Sequence, residues 1–306
     1  MARLDQMTKL TSTDLIMLVV LVLSISASAL ISSANYHSES VFYALPANSI
    51  DTLTTNQISI TEVSNIASEI LPSSEVESGY YTSTLPDFSA IEDVRTKKQT
   101  FFNYMLPKVR KANDKIRANR RLLLMIHGDL TTGGALNEDD IQFVSKLKAR
   151  YRINQQTTLS STIDDLLIRM DVVPESLVLA QAANESGWGT SRFARHANNL
   201  FGVWCFREGC GLTPKNRDEG LNHEVAKYET VQEGIVAYIH TINTNPAYIH
   251  LRNIRATTRS QELNFSGLDL AEGLLKYSSR GIDYVRDIQQ LIRVNELQKY
   301  TLPLQA

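Results

Sequence analysis

The stretch from Pro174 to Gly187, "PESLVLAQAANESG", limits the fold more than any other part of the chain. Pro174 and Glu175 suit a helix start, where a missing N–H is harmless and negative charge is favoured, and Gly187 suits its end. Leu177, Val178, Leu179, Ala180, Ala182 and Ala183 surround such a helix with apolar or small side chains, so it cannot lie on a surface with one wet face. Other elements have to wrap it. At 306 residues, 43% of them hydrophobic, the chain is large and apolar enough to do so.

Glu185 then stands in the last turn of a buried helix. The negative end of the helix dipole and a low-dielectric surrounding both favour its protonated form over the carboxylate. A carboxylic acid kept protonated is what a glycosidase uses to protonate a leaving-group oxygen. A salt-bridged glutamate at a helix end is the alternative on this helix alone.

Leu15 to Ile31 carries no charge and follows Arg3 and Lys9, the pattern of an export signal. Its length is close to the roughly 17 to 25 residues that span a bilayer, so it reads as a signal anchor or, if cut near Ala27-Ser28-Ala29, a signal peptide. The positive-inside rule sends the rest of the chain out of the cytoplasm, to the periplasmic side of an inner membrane. Between Ser32 and Val94 there is no Lys or Arg, and acidic and hydroxyl residues dominate; this reads as a linker. The expected organisation is a cytoplasmic segment at 1–14, a membrane segment at 15–32, a linker at 33–95, a helical lead-in at 96–172 and a catalytic domain at 173–302.

In the lead-in, Phe101, Phe102, Met105, Val109, Ile116, Leu122 and Leu123 stand among Lys and Arg on either side of Pro107, which predicts two amphipathic helical pieces. Their basic face is either solvated, set against an acidic polymer or lipid, or covered by the acidic linker. Asn137 is a candidate cap for a helix through "DIQFVSKLKARYRI", and "TIDDLLIRMDVVP" predicts another. A net charge of -2, with no interleaving of basic and aromatic residues, gives no case for a nucleic-acid partner.

Beyond Glu185, "ESGWGTS" and "NNLFG" (198–202) follow in quick succession. Together they resemble the glucosaminidase family, the flagellar and autolysin muramidase-like glycoside hydrolases, and most of all its exported Bax-like members. The likeness runs from about Phe101 to Leu302. It implies a mainly α (α+β) fold, with a lysozyme-like helical core and a small β-hairpin lobe. It also implies an enzyme that acts on peptidoglycan glycan strands, an endo-β-N-acetylglucosaminidase cleaving β-1,4 bonds, with Glu185 as general acid.

Trp188 is read as core packing before sugar stacking, while Asn198 and Asn199 either hold a turn or bind sugar amides. Phe201 and Trp204 offer apolar surface of the kind that lines carbohydrate clefts. In the family a tyrosine-bounded stretch lines the cleft, and here its counterpart runs from Tyr277 to Tyr284 without the family's Asp-Pro and one residue longer; Tyr284 is the stronger cleft candidate. Inverting hydrolysis needs a second carboxylate, and the family carries it on a lobe like "KNRDEGLNHEVAKYET". Glu224 or Glu219 are the candidates there, each with a solvated loop acid as the alternative.

Cys205 and Cys210 form a disulfide across a short turn or remain two inert thiols. Lys227 stands where His-Glu-x-x-His would need its second histidine, so no zinc site is expected and no cofactor is implied. Two rival functions remain on the sequence: a lytic transglycosylase, which needs one acid and no activated water, and a non-catalytic wall-binding scaffold.

Overall fold

The computed structural model describes residues 84–214, 217 and 223–303, all within one compact unit. The expected membrane segment and most of the expected linker lie outside these residues. Among the described residues no helix is long and apolar enough to cross a membrane. The end of the expected linker is folded: Phe88, in a 3-10 turn at Phe88–Ala90, is fully buried against Phe101 and Tyr104.

The lead-in is one helix rather than two pieces. Helix α1 (Val94–Thr131) continues unbroken past Pro107. Proline deprives the helix of a hydrogen bond, but burial outweighs that loss: Phe101, Phe102, Met105 and Val109 flank Pro107 and enter the core. Helices α2 (Glu138–Arg150) and α3 (Leu159–Arg169) pack against the second half of α1, joining Leu123, Ile126, Val144, Leu147, Ile163 and Leu166 in a smaller apolar cluster. Asn137 caps α2 as expected, in a reciprocal capping box with Asp140.

Helix α4 (Glu175–Ser186) is the expected buried helix, with ten of its twelve residues buried. It is wrapped by α1, by a short helix α5 (Arg192–Ala197) and the loop after it, and by α6 (Val231–Thr244), α7 (Ile249–Ser260), α8 (Gly267–Ala271) and α9 (Ile282–Val294). A 3-10 turn at Leu297–Tyr300 closes over its start. The β lobe is a three-stranded antiparallel sheet in the order β1 (Trp204–Cys205), β3 (Glu224–Ala226), β2 (Gly211–Leu212). Cys205 pairs with Glu224 in register, and Cys205 is disulfide-bonded to Cys210 across the turn between β1 and β2.

One charged cluster fastens the two apolar clusters together. Asp171, buried just before α4, faces Arg259 of α7, with Arg120 of α1 and Arg255 of α7 at 3.8 and 3.9 Å. Arg255 also donates to the carbonyls of Ile168, Arg169, Asp171 and Val172, so it closes the open end of α3. Burial works to raise the Asp171 carboxyl, but the three guanidinium groups outweigh it and hold it at about 2.

A folded-state value below the ordinary carboxylate range contributes stability above pH 4, and that contribution is lost as the pH falls toward 2. The acid limb of unfolding should therefore steepen between these limits, followed by circular dichroism. Asp171→Asn, which leaves the buried Arg255 and the part-buried Arg120 and Arg259 without their carboxylate, should cost about 3–5 kcal/mol by denaturant titration and flatten that limb.

Candidate active site

The backbone leaves α4 abruptly. Gly187, Trp188 and Gly189 take φ of 56°, 60° and 80° in succession, and the N–H of Trp188 closes the helix on the Ala183 carbonyl at 2.9 Å. A left-handed Trp188 costs about 1–2 kcal/mol, offset where its ring meets Phe101 and Phe102 edge-on at 5.7 and 5.4 Å and lies under the Lys98 ammonium at 5.0 Å. The tryptophan is thus a packing residue, as read from the sequence. Gly189 must be glycine for a second reason: a Cβ there would sit 2.5 Å from the Phe88 ring. The Ser186 hydroxyl accepts from the Gly189 N–H at 2.7 Å and fixes the turn.

At this helix end Glu185 is half-buried, open on the face where Asn184 is exposed, while Gln181 and Ser186 point inward. The Glu185 Oε1 accepts two hydrogen bonds, from the Tyr284 hydroxyl at 2.8 Å and from the Asn184 side chain at 3.1 Å. Behind Tyr284 the bonding has only one sense. The Gln181 Nε2 donates to the Tyr284 oxygen at 2.9 Å, so the single hydroxyl proton of Tyr284 is directed to Glu185. Gln181 is itself held by the Tyr238 hydroxyl, which donates to its Oε1. The consequence is an asymmetric carboxyl: Oε1 is committed as an acceptor, and any proton that Glu185 carries belongs on Oε2, which has no partner among the described residues.

Tyrosines build the wall beside this acid. Tyr277 stacks on Tyr284 with ring centroids 5.3 Å apart and planes 7° from parallel. Its hydroxyl donates to the Phe201 carbonyl at 2.8 Å, which ties the wall to the "NNLFG" loop. Burial pushes Tyr248 up to about 12 and Tyr238, Tyr277 and Tyr284 further, with the charge of Glu185 adding to burial in each. These hydroxyls therefore remain neutral donors across the physiological pH range.

The other expected site residues fall into different places. Asn199 donates to the carbonyls of Val203 and Ala226 and accepts from the N–H groups of Phe201 and Val203, which fills its capacity with turn-holding bonds. Asn198, left-handed at φ 51°, likewise donates to the Tyr228 and Glu229 carbonyls. Phe201 is 2% exposed and stacks on Tyr238 at 4.0 Å, so it supports the hydrogen-bonded chain from inside. Trp204 is open: it is 56% exposed and lies flat against His223 at 4.1 Å on the β lobe.

Glu224 is buried, and its two oxygens accept from the N–H groups of Gly209 and Gly211 at 3.2 and 2.7 Å, bracing the disulfide turn. Glu219 lies outside the described residues. Among the described residues, Cys205, Cys210 and Glu224 are close enough to surround an ion, but the disulfide occupies both thiols. Gln181 and Tyr238 escaped the reading of the sequence. The signal for Gln181 was available: it is the one polar side chain between Leu177 and Ala183 and lies one turn before Glu185.

A half-buried carboxyl with one oxygen locked and one open, on a helical core beside a small β lobe, fits the class of glycoside hydrolases. The family profile described as mannosyl-glycoprotein endo-beta-N-acetylglucosaminidase, the glucosaminidase family, matches residues 160–297. The "Protein bax" of Escherichia coli (strain K12) is 31% identical over 205 residues, which cover 66% of this chain and 71% of that protein. The chain belongs to the glucosaminidase family. The catalytic domain of the autolysin Auto from Listeria monocytogenes is 19% identical, covering 69% of this chain and 92% of its own, with a TM-score of 0.37, too distant to transfer roles.

Removing the hydroxyl that fixes Oε1 should slow turnover without unfolding the protein. A hydrogen bond to a charged group is worth about 1.5–3 kcal/mol, so Tyr284→Phe should lower kcat by about 10- to 100-fold with little change in KM. Steady-state kinetics on a soluble glycan, with a thermal melt as control, checks this.

Proposed function

We propose that this protein is a peptidoglycan hydrolase, an endo-β-N-acetylglucosaminidase that cleaves β-1,4 bonds of wall glycan with Glu185 as general acid. The observation that carries this reading is the asymmetry of Glu185. The Oε2 proton passes to the glycosidic oxygen as the C–O bond breaks. The charge left on the carboxylate is then stabilised by the Tyr284 and Asn184 donors already in place on Oε1. Because these donors are set by Gln181 and Tyr238 before substrate arrives, little reorganisation is needed at the moment of reaction. The exposed Trp204 face suits stacking on a pyranose ring farther along the strand.

Glu185→Gln keeps the shape of the side chain and removes the transferable proton. It should lower turnover of purified wall by at least about a thousandfold while leaving glycan binding intact. Unchanged turnover would sink the assignment, and equal phenotypes for both forms would point to a scaffold.

Water has to be activated on the far side of the sugar for direct hydrolysis, by a second carboxylate such as Glu219 or Glu224, or replaced by the substrate's own acetamido group. The two backbone bonds on Glu224 favour a second reading, a lytic transglycosylase, which needs the acid alone. Mass spectrometry of the products separates the two: new reducing ends for hydrolysis, anhydro-sugar ends for transglycosylation.

The uncharged run from Leu15 to Ile31 behind Arg3 and Lys9 supports export and anchoring on the outer face of the inner membrane. Cell fractionation with sequencing of the mature N-terminus should find the intact chain in the membrane fraction, whereas a start beyond Ala29 in the soluble periplasm would mean release.

A further inference from the structure

At the open end of α4 the Asn184 amide is half used. Asn184 is exposed; its Nδ2 donates to the Glu185 Oε1 at 3.1 Å, and its Oδ1 has no hydrogen-bond partner among the described residues. The pairing has one sense, because Oε1 already accepts from the Tyr284 hydroxyl and an amide donates only through its nitrogen. The helix end does not need this side chain, since the Gly187 N–H closes it on the backbone carbonyls of Ala183 and Asn184. Asn198 and Asn199, by contrast, are bonded to backbone groups. Nδ2 and Oδ1 share one carbon, so an unpaired acceptor lies within one amide group of the acid.

An acceptor in that place suits an N–H donor on the substrate, and the substrate read for this site has one. In an N-acetylglucosaminide the acetamido nitrogen is bonded to C2, next to the C1 whose bond is cut. A sugar that sets its glycosidic oxygen against the Glu185 Oε2 therefore brings an amide N–H and its carbonyl close to Asn184. The nucleophile is the second consideration. Both oxygens of Glu224 are bonded to N–H groups of the disulfide turn, whereas an acetamido oxygen can attack C1 without any second carboxylate. It has only to be turned toward C1, and a hydrogen bond to the N–H of the same planar amide does that.

We propose that the Asn184 Oδ1 accepts the acetamido N–H of the sugar being cut and so sets that group's carbonyl oxygen as the nucleophile. The inference rests on the reading of the substrate as an N-acetylglucosaminide with Glu185 as the acid. In the first step the acetamido oxygen bonds to C1 as the bond from C1 to the leaving oxygen breaks, and the Oε2 proton of Glu185 goes to that oxygen. The product is an oxazolinium ring, whose positive charge is shared by the nitrogen that Asn184 holds. In the second step water adds to C1 and gives a proton to the Glu185 carboxylate, while the ring opens and restores the acetamido group. Two displacements at C1 leave its configuration unchanged.

The test gives the full-length chain in detergent two soluble β-1,4 oligosaccharides. One is built of N-acetylglucosamine; in the other each acetamido group is an acetate ester, which keeps the carbonyl and removes the N–H. The quantity read is the preference for amide over ester in kcat/KM. Asn184→Ala should lower that preference by at least about tenfold, the effect of one hydrogen bond made in the transition state. Asn184→Asp, which keeps an acceptor, should hold it within about threefold, and so should Tyr284→Phe, which removes a donor to Glu185 but no acceptor for the sugar. These two variants separate the acceptor role from any general loss of rate. Proton NMR taken before mutarotation should show the β-anomer as the first product.

An α-anomer as first product, anhydro ends in place of reducing ends, or an unchanged preference in Asn184→Ala would each overturn the proposal and leave Glu185 standing as the acid. Turnover that survives in Glu185→Gln, or no cleavage of either sugar by the unaltered protein, would instead overturn the reading on which the proposal rests, and the proposal with it.

Discussion

Everything in the active site depends on the burial of α4. Because ten of its twelve residues are buried, the helix has no freedom to rotate, and its polar residues are aimed by the apolar ones around them. Gln181 and Glu185 are one turn apart and share a face, so fixing one fixes the other. The buried amide of Gln181 must find partners or incur a large desolvation cost, and it finds them in Tyr238 and Tyr284. The Glu185 carboxyl is thus oriented by a bond network whose direction is imposed from the interior outward.

The supporting elements serve that constraint from different sides. α1 lays Phe101 and Phe102 against Trp188 and so holds the turn that releases the chain from α4. The Asp171 cluster fixes the other end of the same helix by joining α1, α3 and α7 to Asp171 and Val172, ahead of Pro174. Between them, the "NNLFG" loop supplies Phe201 beneath Tyr238 and a carbonyl for Tyr277. A residue such as Phe201 can therefore be essential to the site without touching a sugar.

Much of the fold was legible because local signals coincided. Asn137 before an acidic first turn and Gly187 after an apolar run each mark a helix boundary by a mechanism that needs no tertiary partner. Pro107 misled for the same reason. Its local effect is to interrupt a helix, and only the core contacts of the residues flanking it explain why α1 continues. Asn199 shows a related gap: an amide in a motif can serve the backbone or a ligand, and the choice is set by carbonyls at Val203 and Ala226 that the sequence does not bring together visibly.

By itself the sequence determined the buried helix, the glutamate at its end and the sharp exit after it, since these follow from side-chain polarity, helical periodicity and the backbone freedom of glycine over fewer than twenty residues. Only the tertiary structure decided which oxygen of Glu185 is held and which is open. That choice comes from Tyr284 and Tyr238, 99 and 53 positions further along the chain, and a hydrogen bond's direction is fixed by the partners it meets in space rather than by its neighbours in sequence.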